Sequence, residues 1–238
     1  MKASDLLVRC LEAEGVERIF GVPGEENADV MISLNDSPIE FVLCRHEQAA
    51  AFMADAYGRT TGKAGVCLAT LGPGATNLVT GLADANMDRA PVVAIIGQGS
   101  TQRLHKESHQ NMDALTMFAP ISKSTLGIYS APTIPEIVRK TFQTAMAEKP
   151  GVSVLELPED IAKQDVDAQP MSITSLRRPA ADHKAIARAV DVIAVAKNPI
   201  ILAVLVQCCL GHYHVMSSRG SSSVTTGSFM VPNTGSVC

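Results

Sequence analysis

Short runs with scarcely a charged residue, AGVCLAT and PVVAIIGQ among them, alternate in this sequence with longer amphipathic stretches. A strand that is apolar on both faces has to be covered on both faces. A parallel sheet between two layers of helices does that. Along the chain, a helix capped by Ser4 is expected to present Leu6, Leu7, Cys10 and Leu11 on one face and to stop at Gly15. Strands are expected at ERIFGV, IEFVLC, AGVCLAT, PVVAIIGQ and GVSVLELP. Helices are expected over ENADVMISLN, over HEQAAAFMADAYGRTTG as far as Gly62, from GPGATN to about Met87, and over IPEIVRKTFQTAMAEK. Crossovers between the strands should be right-handed. The expected fold class is α/β, a doubly wound parallel sheet with helices on both faces. An incomplete second domain and an irregular tail should follow it.

Composition narrows the function. Hydrophobic residues make up 46% and charged residues 18%, which excludes disorder as the main state. A net charge of −4, no Trp, six Phe and three Tyr argue against a nucleic-acid partner. No run approaches the roughly 18 apolar residues of a membrane span. The acids within MKASDLLVRCLEAEGV are unlike a signal peptide. The cysteines, with no CxxC spacing, disfavour zinc and a redox motif; free thiols in a reducing cytoplasm are expected.

The composition breaks near Ala203. Arg219 is the one charged residue after it, in a stretch rich in Ser and Cys without a period that would bury a face. Residues 204–238 are therefore expected to be an aberrant or disordered tail, as a reading-frame error would leave. Before it, the chain is expected to divide into a domain at 1–165, a linker at 166–182 and the start of a truncated domain at 183–203.

Ligands of open parallel sheets sit at the carboxyl ends of the strands. Four turns lie there: Gly21 to Glu25, Arg45 to Gln48, Gly72 to Asn77 and Gly97 to Ser100. GPGATN lacks the third Gly of a dinucleotide fingerprint, and no GxxxxGK[ST] occurs. It is either an anion cradle or a tight turn. Glu47 directly follows IEFVLC and opens an Ala-rich helix. It either complements the helix dipole or projects into a cleft and shares a proton with a ligand nitrogen. Arg45 and His46 read as solvated or packing residues. His105, Glu107 and His109 have a spacing that would suit a metal site on a helix, but no HExxH is present, and the stretch reads rather as a polar active-site loop or a solvated one.

In order, FGVPGEENADV, CRHEQAAAFMADAYGRTTGKAGVCLATLGPGATNLVTGLADANMDRAPVVAIIGQ and SHQNMD resemble the N-terminal pyrimidine-binding domain of thiamine diphosphate-dependent enzymes, those of the acetolactate synthase type above all. The resemblance runs from about Ala3 to Lys163. Residues 183–203 resemble the start of that family's central domain. The resemblance implies an enzyme that uses thiamine diphosphate to condense two molecules of pyruvate into 2-acetolactate with loss of carbon dioxide. It implies that Glu47 hydrogen-bonds the aminopyrimidine ring, with Pro73, Gly74 and Asn77 beside that ring. It further implies that Val22, Pro23 and Gly24 lie near the reacting carbons and that His109 and Gln110 face the substrate. Gln110 would donate to the substrate carboxylate or to a developing alkoxide.

The family's magnesium and diphosphate site is marked by GDG, which does not occur here, so no metal ligand is expected in this sequence and magnesium is expected to be held elsewhere. FAD is possible in such relatives but nothing in the sequence indicates it. Complete relatives are homodimers or tetramers with the site between subunits, so this chain alone is expected to be inactive. Glyoxylate carboligase, pyruvate oxidase, a 2-oxo acid decarboxylase or a non-catalytic partner subunit would share these motifs.

Overall fold

The computed structural model describes residues 1–173, 181–198, 212–214 and 228–230. They fall into two compact units, Met1–Leu176 and Arg177–Cys238. The first unit holds six parallel strands: β1 (Arg18–Gly21), β2 (Glu40–Leu43), β3 (Gly65–Ala69), β4 (Val92–Gln98), β5 (Ser124–Gly127) and β6 (Val152–Pro158). Their order across the sheet is β2-β1-β3-β4-β6-β5. Its helices are α1 (Ala3–Ala13), α2 (Ala28–Leu34), α3 (Glu47–Thr61), α4 (Pro73–Thr76), α5 (Val79–Met87), α6 (Ala114–Phe118), α7 (Ile134–Met146) and α8 (Glu159–Ala162).

Two apolar layers follow from the two faces of the central strands, in which every residue of β3, β4 and β6 is buried. One layer packs α1, α2 and α7 on Val93, Ile95, Leu155 and their neighbours. The other packs α3, α5 and α6 on Ala94, Ile96 and Val154. The parallel, doubly covered sheet is thus the fold expected from the uncharged runs.

The differences lie at the margins. Ser4 does not cap α1 but is buried in its first turn; Lys2 holds the cap position, and its backbone amide donates to Asp5 Oδ2 at 3.2 Å. Gly15, at φ +77°, stands just beyond the helix's last turn, as expected. β2 is an edge strand with Leu43 69% exposed, so its apolar run is not buried on both faces. β5, at the other edge, escapes the sequence reading because STLG is half-buried throughout and carries no apolar run. Residues 101–110 form turns rather than a helix, so the spacing of His105 and His109 puts them on no common helical face.

After β6 the chain returns to the N-terminus, where the Ala3 amide donates to the Gln164 carbonyl at 2.8 Å and the Val166 amide to the Met1 carbonyl at 2.9 Å. In the second unit, α9 (His183–Val195) is a single amphipathic helix, and β7 (His212–His214) pairs antiparallel with β8 (Ser228–Met230). The remainder of the expected tail, residues 199–203 and residues 174–180 of the expected linker lie outside the described residues.

Cys10, Cys44 and Cys67 are free and buried. Burial pushes the thiols of Cys10 and Cys67 up to about 12, with Glu14 adding to the rise at Cys10 and Cys44 at Cys67. The thiolate is the reactive form. Iodoacetamide at pH 8 is therefore expected to leave Cys10 and Cys67 unmodified in the folded chain and to label both after unfolding. Mass spectrometry of the peptides reads this, and labelling of the native protein at the rate of a free thiol would contradict it.

Candidate active site

β1 and β3 are neighbours, yet the segments that leave them go to opposite faces. The path from β1 leads to α2, in the layer with α1, whereas the path from β3 leads through α4 to α5, in the layer with α3. Such a divergence opens a crevice beyond the carboxyl ends of the two strands. The turns at Gly21 to Gly24 and at Gly72 to Asn77 border it.

Glu47 is brought to this crevice by the helix it begins. α3 is rich in alanine, and Ala50, Ala51 and Ala54 are fully buried against the sheet and α5. Small side chains let the helix approach closely, which fixes its position to within a van der Waals contact. Arg59 ties its far end to α5, binding Asp55 at 2.8 Å, Asp84 at 3.1 Å and Asp88 at 2.5 Å. His46 caps the near end, its Nδ1 accepting from the Gln48 amide at 3.2 Å. With both ends held, the first residue of the helix has a defined place.

Glu47 is 9% exposed, and its Oε2 accepts from Asn77 Nδ2 at 2.9 Å. Oε1 makes no hydrogen bond among the described residues, and no cation pairs with the carboxylate there. Beside it is Gly74, where a Cβ would stand 3.5 Å from Oε1. The wall next to the carboxylate is thus bare backbone. Gly72 makes the turn possible with φ +55°, a conformation that side chains rarely adopt.

Thr70, which the sequence reading passed over, joins the two glycine turns. A Cβ on Gly24 would meet its Cβ at 2.5 Å, and one on Gly74 would meet its Cγ2 at 2.7 Å. Its hydroxyl donates to Glu26 Oε2 at 2.7 Å. The Gly24 amide in turn donates to Asn27 Oδ1 at 2.8 Å. No period or motif marks a lone Thr before a Gly-Pro-Gly turn; only the adjacency of β1 and β3 gives it this place.

The structure therefore brings together Glu47, Gly74, Asn77 and, through Thr70, Gly24. Val22 is half-buried at the end of β1; Pro23 and Pro73 are exposed on their turns. The Gln110 carbonyl and Cβ both lie against Gly72, where a Cβ would stand 2.5 Å and 2.9 Å from them, while Gln110 as a residue is exposed. His109 is exposed and makes no hydrogen bond among the described residues. Arg45, His105 and Glu107 are exposed as well, and among the described residues no group of three or more His, Cys, Asp and Glu converges as a metal site.

A carboxylate with one oxygen fixed by an amide, the other without a protein partner, and a side-chain-free wall beside it suits a flat, weakly basic nitrogen heterocycle. The family model for the thiamine pyrophosphate enzyme, N-terminal TPP binding domain, matches residues 1–117. The chain belongs to this family of thiamine diphosphate-dependent enzymes. It is 41% identical over 214 residues to the probable acetolactate synthase large subunit of Methanococcus aeolicus, covering 85% of this chain and 35% of that protein. It is 43% identical over 202 residues to the catabolic acetolactate synthase of Raoultella terrigena, covering 84% of this chain and 36% of the relative. With the acetolactate synthase isozyme 2 large subunit of Escherichia coli (strain K12) it shares 38% identity over 201 residues, covering 84% and 37% of the two chains. The chain thus spans about a third of the length of the curated relatives it matches.

Proposed function

We propose that this chain is the pyrimidine-binding part of an acetolactate synthase that condenses two molecules of pyruvate. The observation that carries the reading is the Glu47 carboxylate, held by Asn77 against the Gly74 wall at the crevice between β1 and β3. When bound, thiamine diphosphate supplies the nucleophilic carbon and electron sink by which a 2-oxo acid loses carbon dioxide and its remainder joins a second molecule. Glu47 holds and returns a proton at the ring nitrogen through Oε1. A charge-assisted hydrogen bond in a site shielded from water is strong enough to favour one ring tautomer. Asn77 keeps Oε2 occupied and so aims Oε1. Pro73 and the Gly72–Gly74 backbone flank the ring. Val22, Pro23 and Gly24, the last packed on Thr70, border the reacting carbons, and the side chains of His109 and Gln110 face the substrate, Gln110 donating to its carboxylate.

Among the described residues no three or more His, Cys, Asp and Glu converge as a metal site; magnesium and the cofactor's diphosphate would be held by a separate unit. Exposed Phe52 and Met53 on α3 and Met87 on α5 suit association with such a partner, as homodimers or tetramers would provide. No helix among the described residues is long and apolar enough to cross a membrane. Buried free thiols suit a reducing, cytoplasmic setting.

Alone, the 238-residue chain is expected to form no acetolactate from pyruvate, thiamine diphosphate and magnesium. Joined to the diphosphate-binding unit of an acetolactate synthase, it is expected to form acetolactate. Acetaldehyde or acetate as the main product would identify a decarboxylase or an oxidase instead. No turnover from a stable complex would identify a non-catalytic partner subunit.

A further inference from the structure

An ionisable residue sits deep in the sheet. Glu156 of β6 is aligned with Ile96 of β4 on one side and Gly127 of β5 on the other, and it is 2% exposed. Its Oε2 accepts from Gln98 Nε2 at 3.0 Å and its Oε1 from the Tyr129 hydroxyl at 3.1 Å. The Tyr129 ring lies across Gly127, where a Cβ would meet ring atoms at 2.6 Å, and this lets the hydroxyl reach over the edge strand. Burial pushes the Glu156 carboxyl above its ordinary range, the two hydrogen bonds pull it back, and the nearby Asp113 charge adds to the rise. An apolar residue in a strand covered on both faces avoids this cost. Burial alone therefore gives no reason for a glutamate here.

The neighbouring contacts give one. Gln98 Nε2 also donates to the Met112 carbonyl at 3.1 Å, and Gln98 Oε1 accepts from the Gly99 amide at 2.9 Å. The Gln98 carboxamide is thereby oriented by Glu156 while it grips both ends of the segment 99–113. That segment consists of turns and irregular backbone, with no strand or helix of its own. Two residues before Met112, Gln110 has φ +53° and rests its carbonyl on Gly72 of the glycine turn.

We propose that Glu156 is a positioning residue. By aligning the Gln98 carboxamide it holds the Met112 carbonyl and so seats Gln110 over the Gly72 turn. Its bearing on catalysis rests on the reading of Gln110 as a substrate-facing group; the seating itself does not.

Hydrogen–deuterium exchange on the 238-residue chain tests it. Glu156→Leu fills the same volume but accepts nothing, and is expected to speed exchange of the amides in 99–113 by about tenfold or more, with α1 and α7 unchanged. Glu156→Gln keeps an acceptor for Gln98 and offers a donor to Tyr129, and is expected to restore the slow exchange. Gln98→Met cuts the same link without changing charge and should reproduce the effect of Glu156→Leu; it decides alone if the leucine variant does not fold. Unchanged exchange in 99–113, an equal rise in every segment, or failure of glutamine to rescue each overturns the proposal. Because the readout uses no substrate, a failed assignment of Gln110 would show in turnover and leave this result standing.

Discussion

Glu47→Gln is expected to slow exchange of the cofactor's thiazolium proton by about a hundredfold or more, the order lost with an acid–base group. The setting is a complete enzyme that carries this chain as its pyrimidine-binding unit. Glutamine preserves the length of the side chain and an oxygen for Asn77 Nδ2, which sits 2.9 Å from Glu47 Oε2. Packing at the start of α3 is therefore conserved, and only the group that exchanges a proton is lost. A thermal melt of the variant that matches the parent confirms that the fold is intact. An exchange rate equal to the parent's, in a protein that still binds the cofactor, contradicts the role given to Glu47.

The second large effect is on stability. A Cβ at Gly65 would lie 1.9 Å from the carbonyl oxygen of Ala54 and 2.7 Å from its carbonyl carbon. Those atoms are helix backbone, so no side-chain rotation relieves the clash. α3 must lift from β3, and the buried contacts of Ala50, Ala51 and Ala54 open with it. Gly65→Ala is expected to cost about 3 kcal/mol or more, at the upper end for overpacking. For a unit of this size that lowers the melting temperature by about 10 °C. The same shift moves Glu47, so cofactor binding should weaken in parallel. A melting temperature within a degree of the parent's would show that α3 does not sit this close to the sheet.

What could be read from the residues depended on how local the cause was. The central strands were legible because burial on both faces forces a run such as AGVCLAT to be apolar. β5 was not, because an edge strand has no such demand, and STLG looks like a loop. Glu47 could be placed at the sheet's carboxyl end because a strand ends and a helix begins within a few residues of it. Its contact with Asn77, 30 positions away, depends on the close packing of α3 against α5. Thr70 was invisible for the same reason, since its neighbours Gly24 and Gly74 meet only once β1 lies beside β3. Glu156 does carry a signal in the sequence: a carboxylate inside VSVLELP has to find donors, and Gln98 ends the adjacent strand. The assignment of Ser4 as a cap failed because the Asp5 carboxylate takes the Lys2 amide, leaving Ser4 in the packed first turn.

The proposed function requires the carboxylate at position 47 to meet the pyrimidine ring of thiamine diphosphate. A crystal structure of this chain assembled with a diphosphate-binding unit and the cofactor tests it most directly. A Glu47 oxygen is expected within about 3 Å of a pyrimidine ring nitrogen, with Asn77 still on the other oxygen. A ring bound away from the Gly74 wall, or a Glu47 carboxylate turned from it with the cofactor in place, would contradict this role for Glu47.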